Sequence, residues 1–379
     1  MRFVELARLC VSVALVCGGL AIGRADEVDD LVAEQLREKL IPGLSLAIVS
    51  DGKIVRSAGY GVVEKDTTEP VTTDTLFQAG SISKPVAAVG VLRLVERQLI
   101  DLDGDVNVTL RTWKVPENEY TAKEKVTVRR LLCHGAGLTV HGFPGYAVKG
   151  PIPTLVQVLD GVPPANTAAI RVDLVPGSEY RYSGGGYTDL QQLVLDVTGS
   201  TFPAYMKRTV LRPVGMDSST YAQPLPGGKA SRAAVGHLRD GTAVDGRWHV
   251  YPEMAAAGLW TTASDLARFA IALQEALAGK PKAVLSQATA REMLTRQMGE
   301  FGLGVALVGT EGDTVGEQIH LGKKRTLIFC HGGRDEGFDA NLAATATTGK
   351  GAVVLINKND DDGAIEAIMK VIAKKYAWP

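Results

Sequence analysis

Apolar positions in this chain change their period twice. Over 28–40, Leu31, Val32, Leu36 and Leu40 recur at helical spacing among charged residues, which predicts an amphipathic helix stopped by Pro42-Gly43. The runs 44–49 and 54–60 are apolar and flank Asp51-Gly52, so they predict a β-hairpin. From about 100 to 290 helical periods dominate, at 126–132, 154–159, 189–197, 202–210 and 264–277. Gly- and Pro-rich stretches at 135–153 and 222–228 separate them, and ordered loops of that length commonly shape binding sites. Strand patterns return at 303–308, 326–330, 341–346 and 352–357, before a last helix over 364–376. Asp360-Asp361-Asp362-Gly363 precedes that helix and complements its N-terminal dipole. Strands at both chain ends around a helical middle imply one sheet assembled from N- and C-terminal segments, an α+β architecture. Residues 26–95 and 290–379 are expected to build the sheet part, and 96–289 the inserted helical part.

The first 25 residues read as a separate unit. Arg2 and Arg8 flank a short apolar run over 9–22, followed by Gly23-Arg24-Ala25. That pattern predicts a secretory signal peptide over 1–25, hence a periplasmic or secreted protein with no stable membrane insertion after cleavage. The formal net charge is −1 with no basic stripe, which argues against nucleic acid as a partner. Cys133 and Cys330 each sit in an apolar context, so buried free thiols are expected. Asp101-Leu102-Asp103-Gly104-Asp105 opens like a calcium loop, but Val106 stands where Gly is needed and Thr112 where Glu is needed, so it reads as a turn. The six histidines lack metal-binding spacing, and no metal or cofactor is expected.

Candidate chemistry enters at Ser81-Ile82-Ser83-Lys84-Pro85. Val86, Val89, Leu92, Val95 and Leu99 keep helical spacing, predicting a mostly buried helix that begins near Ser81. Pro85 is tolerated in a first turn, where no intrahelical donor is lost. Positions i and i+3 share a face, so the Lys84 amine is expected one turn from the Ser81 hydroxyl. A serine needs a base to become a nucleophile, and lysine serves once desolvation lowers its pKa. The tetrapeptide alone carries little specificity. Two further stretches matter: Tyr180-Arg181-Tyr182-Ser183-Gly184-Gly185-Gly186-Tyr187, a Gly-rich turn before a helix, and Phe329-Cys330-His331-Gly332-Gly333-Arg334, a strand followed by glycines.

Taken in order, Ser81-x-x-Lys84, Tyr182-Ser183-x-x-Gly186-Tyr187 and His331-x-Gly333 resemble the three motifs of the penicillin-recognising serine hydrolases. These include class C β-lactamases, D-alanyl-D-alanine carboxypeptidases and β-lactamase-like esterases. Leu131-Leu132-Cys133-His134-Gly135-Ala136-Gly137-Leu138 and the stretch from Ala257 to Leu266 extend the resemblance over nearly the whole mature chain. It implies a β-lactamase/transpeptidase-like fold, with an antiparallel sheet flanked by helices, and an acyl-enzyme on Ser81. Lys84 and Tyr182 would share the proton work, with Tyr182 the leading general base and the division left open. His331 would hold substrate or tune Tyr182, and the backbone N–H groups of Ser81 and Arg334 would form the oxyanion hole.

One position departs from the family pattern. Many relatives carry Asn at the third place of the tyrosine motif, where it contacts the substrate amide; here it is Gly184. The resemblance therefore turns towards an esterase- or peptidase-like hydrolase and away from efficient β-lactam turnover. Gly184, Gly333 and Arg334 are the candidate substrate-binding positions, Arg334 because its fork suits a carboxylate. His134 and His141 are expected at the mouth of the site, and Tyr187 behind the Gly-rich turn. The expected partner is a small-molecule or peptidoglycan-like peptide or ester substrate. A sensor that binds peptidoglycan or penicillin without turnover remains the alternative, and oligomeric state is left open.

Overall fold

The computed structural model describes residues 26–309, 327–360 and 362–378. The signal segment expected over 1–25, Thr326 at the start of one expected strand, and Asp361 lie outside the described residues.

Helix α1 (Glu27–Glu38) starts where the Asp26 carboxylate accepts from the N–H of Val28 at 2.8 Å and of Asp29 at 3.3 Å. It buries Val28 and Val32, whereas Leu40 lies beyond its end with φ of 53° and is 71% exposed. Pro42 and the sheet entry at Gly43 end the helical path before Leu40 can join its apolar face. Strands β1 (Gly43–Ser50) and β2 (Lys53–Gly61) form the expected hairpin, with Asp51 and Gly52 both at positive φ. Next come the short strand β3 (Phe77–Gln78), a 3₁₀ turn over Gly80–Ile82 and helix α2 (Ser83–Glu96). Residues Val86 to Leu92 of α2 are buried without a break, while Leu99 falls outside the helix and is 53% exposed. The helical region includes α3 (Val128–Leu132), α4 (Gly184–Thr198), the short strand β4 (Trp260–Thr261) and α5 (Ala263–Leu277). The chain closes with β5 (Ala306–Val308), β6 (Ile328–Asp335), β7 (Phe338–Thr345), β8 (Gly351–Ile356) and α6 (Ala364–Lys375).

The main sheet runs β2-β1-β8-β7-β6-β5, every neighbouring pair antiparallel. N- and C-terminal segments meet at β1 and β8, where Leu44 faces Ile356 and Leu46 faces Val354. β8 is buried along its whole length because both sheet faces are covered. Val28, Val32, Ile368 and Ile372 of α1 and α6 pack on Leu44, Leu46 and Ile356. Ala47, Val353 and Leu355 join the larger core with Phe269, Leu273 and the α2 side chains. This is the α+β, β-lactamase/transpeptidase-like architecture.

Two elements extend past the expected limits. α4 begins at Gly184, before the polar–apolar period starts at Asp189, because Ser183 Oγ caps the N–H of Gly186 at 3.1 Å. β6 continues through His331-Gly332-Gly333-Arg334, since Gly332 pairs with Asn341 and Arg334 with Asp339. The Asp101–Asp105 segment is a turn whose carboxylates accept from Asp103 N–H and Asn107 N–H, both at 2.9 Å. Asp360 supports α6 by accepting from Ile365 N–H at 3.2 Å. Among the described residues no helix is long and apolar enough to cross a membrane.

Candidate active site

Ser81 sits in the 3₁₀ turn between β3 and α2, and distant backbone holds that turn in place. β3 pairs with β4, and Ala79 N–H donates to Leu259 C=O at 2.9 Å. Ser83 Oγ accepts from Leu259 N–H at 2.9 Å, and Tyr221 donates to Ser83 C=O at 2.6 Å. The 257–266 stretch is thus the clamp on the serine turn. β6 closes the other side. A Cβ on Gly80, at φ +50°, would lie 2.4 Å from Arg334 N, and one on Gly333 would lie 1.9 Å from Ala79 C=O. Both positions need glycine for this backbone approach.

Lys84 Nζ lies 2.9 Å from Ser81 Oγ and 2.9 Å from the Ala256 carbonyl oxygen. Its side chain is 2% exposed, and burial pushes its pKa down to about 7, with Asp335 acting in the opposite sense. Burial pushes the Tyr182 phenol well above its usual range, with Ser81 acting in the opposite sense. Lys84 Nζ is 5.0 Å from the Tyr182 ring centroid. The Tyr182 ring is held between His134 and His141, at centroid distances of 4.2 and 4.8 Å. His134 is 2% exposed, so it lies behind Tyr182 and not at the mouth of the site; His141 is exposed there. Ser183 N–H donates to His134 Nδ1 at 3.1 Å, and burial together with nearby Lys84 keeps this ring neutral.

His331 faces the same space, its ring 6.1 Å from that of Tyr182. Its Nδ1 is 2.6 Å from the Gly332 carbonyl and donates to it, and burial pushes its pKa down to about 4. It is a neutral hydrogen-bonding group at neutral pH, unlike a lysine. Arg334 departs from expectation. Its fork grips Asp339 at 2.8 and 2.7 Å and donates to Asp360 C=O at 2.9 Å, so the guanidinium is engaged within the protein. Gly184 also departs: it is buried beneath Phe143 and does not line the cavity, whereas Gly333 does. Tyr187 is fully buried and donates to Leu132 C=O at 3.0 Å, as its packing role requires.

The Ser81 side chain opens into a cavity of about 710 Å³. Loop 135–153 contributes His141, Gly142 and Phe143 to its wall, and Phe301 adds a further ring 6.2 Å from that of Tyr182. Sequence reasoning passed over Phe143, Phe301, Asp335 and Glu253. Asp335 shares its strand face with His331 and Gly333, a period-2 signal that could have found it. It is 3% exposed and burial pushes its carboxyl well up, with Lys84 opposing. Glu253 is fully buried, and burial pushes its carboxyl up to about 7; no sequence pattern marks it. Cys133 is a buried free thiol as expected, whereas Cys330 is in no disulfide but is only half-buried, because its strand borders the cavity. Cys330 lines the cavity, but burial raises it to about 12, so it is not a thiolate nucleophile at neutral pH.

Fold and side-chain grouping together are those of the penicillin-recognising serine hydrolases. The chain belongs to the beta-lactamase family, whose model matches residues 28–373. It is 30% identical over 263 residues to Penicillin-binding protein 4 of Amycolatopsis lactamdurans, covering 68% of this chain and 66% of that protein. To Protein flp of Staphylococcus aureus it is 25% identical over 225 residues, 57% of this chain and 42% of that longer relative. In fold it is similar to the D-alanine carboxypeptidase AmpC from Burkholderia cenocepacia, with a TM-score of 0.71 and 22% identity, covering 93% of this chain and 100% of that one.

Proposed function

We propose that this protein is an exported serine hydrolase that cleaves an ester or amide through an acyl-enzyme on Ser81. The carrying observation is the 2.9 Å contact of buried Lys84 Nζ with Ser81 Oγ, with the Tyr182 ring centroid 5.0 Å from the same Nζ. With its pKa near 7, Lys84 has a neutral fraction at neutral pH and takes the Ser81 proton as Oγ attacks the carbonyl carbon. The N–H groups of Ser81 and Arg334 receive the oxyanion, and such a donor is worth about 3 kcal/mol of barrier. The intermediate collapses, the bond to the leaving group breaks, and the proton passes through the Tyr182 phenol to the departing alcohol or amine. Water then attacks the Ser81 ester, gives its proton to the same pair and releases the acid. Tyr182, raised by burial, suits a relay better than a resting base, which favours Lys84 as the acceptor in the free enzyme. Neutral His331, whose Nδ1–H is spent on Gly332 C=O, presents Nε2 as an acceptor to substrate or water. Export rests on the pattern of residues 1–25.

The test is intact mass after incubation with a fluorophosphonate, with a penicillin run alongside. One phosphonyl adduct on the wild type, absent in Ser81→Ala, is the expected result. A wild type that stays unlabelled by both reagents would sink the enzyme reading and leave the sensor reading in its place.

A further inference from the structure

The glycine at 184 has a structural cause that bears on substrate choice. A Cβ there would lie 2.9 Å from Phe143 Cε2 and 3.1 Å from the His141 carbonyl oxygen. The loop carrying Phe143 is tied onto the first turn of α4 by three hydrogen bonds. Gly184 N–H donates to His141 C=O at 3.0 Å, Gly185 N–H to Val140 C=O at 3.1 Å, and Ser183 Oγ to Thr139 C=O at 2.7 Å. Gly185 is needed for the same reason, since a Cβ there would lie 2.7 Å from Thr139 C=O. The outcome is that the half-buried Phe143 ring covers position 184 and itself forms cavity wall. A substrate at Ser81 therefore meets an aromatic surface from Phe143, Tyr182 and Phe301 where a side-chain amide could otherwise have stood.

Charge points the same way. Among the described residues lining the cavity, the lysine and arginine are Lys84 and Arg334. Lys84 holds Ser81, and Arg334 is gripped by Asp339. Asp360 and Glu366 also line the cavity; Glu366 is ion-paired with Lys370, so Asp360 is the acidic group that disfavours an anionic ligand.

We infer that Phe143 is a specificity-determining residue, and that the site takes neutral carboxylic esters carrying a bulky apolar group in preference to anionic amides. The inference rests on the acyl-enzyme reading above. The reaction is ester plus water giving carboxylic acid plus alcohol, with no co-reactant. Phe143 packs on the apolar group of the bound ester, and the glycines of α4 exist to let that ring sit where it does.

The experiment measures kcat/KM for two ester series, one varying the acyl group at constant alcohol, the other varying the alcohol at constant acyl group. Wild type should prefer phenyl-bearing over methyl-bearing members in at least one series. Phe143→Ala should lower that preference about tenfold, the scale of a lost apolar pocket contact, and Phe143→Leu should restore much of it. The series that responds identifies which part of the ester meets the ring. Gly184→Ala should also lower the preference by pushing the ring into the cavity, and should add little on top of Phe143→Ala. Equal effects of Phe143→Ala on all esters, or none, would overturn the inference. So would a penicillin acylating Ser81 as fast as a neutral ester with the same acyl group. Fluorophosphonate labelling of Ser81 is read in the same wild-type sample: its absence defeats the acyl-enzyme reading, whereas labelling with unchanged selectivity defeats the role of Phe143 alone.

Discussion

The pH dependence of turnover offers a sharp test of the assigned base. Lys84 must be unprotonated to accept the Ser81 proton, and burial lowers its pKa from 10.5 to about 7. The sign follows directly: above pH 7 the amine is mostly neutral and the rate is on its plateau, and below pH 7 it is mostly protonated. Two pH units below that value the neutral fraction is about 1%, so kcat/KM at pH 5 should be about 100-fold under the plateau. His331, pushed down to about 4, would instead place the acid limb near pH 4 if it were the base. Asp335 supplies the perturbation: its charged form favours protonated Lys84, while burial favours its neutral form. Asp335→Asn removes whatever charge burial leaves on that carboxyl, so the acid limb stays in place or moves to lower pH. The assay is kcat/KM for a neutral phenyl ester from about pH 3 to 9, which reports the free enzyme. The rate of fluorophosphonate inactivation gives a second reading that avoids deacylation. A wild-type limb near pH 4, or a limb that Asp335→Asn moves upward, refutes the assignment.

Two further outcomes follow from the backbone and the ion pairs. Gly333→Ala places a methyl 1.9 Å from the Ala79 carbonyl oxygen, so β6 must move off the serine turn; both a lower thermal midpoint and loss of Ser81 labelling are expected. Wild-type labelling in that variant would show that the close approach of β6 is dispensable. Arg334→Ala leaves the Asp339 carboxylate, whose side chain is 7% exposed, without its fork. Its cost should be about 1–3 kcal/mol of stability by urea unfolding, with KM for carboxylate-bearing esters unchanged; a raised KM for those esters alone would return Arg334 to substrate binding.

Local periodicity determined much of this protein. The hairpin at Asp51-Gly52, the helix after Ser81, the strands at both chain ends and the one-turn separation of Ser81 and Lys84 all follow from spacing within a few residues. The extent of β6 was not legible, because glycines after a strand look like a turn until a partner such as β7 pairs with them. Nor was the start of α4, since three glycines carry no helical signal and their reason lies some forty residues away in Phe143 and Thr139. Tertiary structure alone decided that His134 backs Tyr182, that Asp335 acts on Lys84, and that Arg334 closes on Asp339. The physical reason is the same in each case. Spacing along a chain reports the direction of a side chain and the burial of a face, whereas pKa and pocket shape depend on which distant groups the packed core brings into contact.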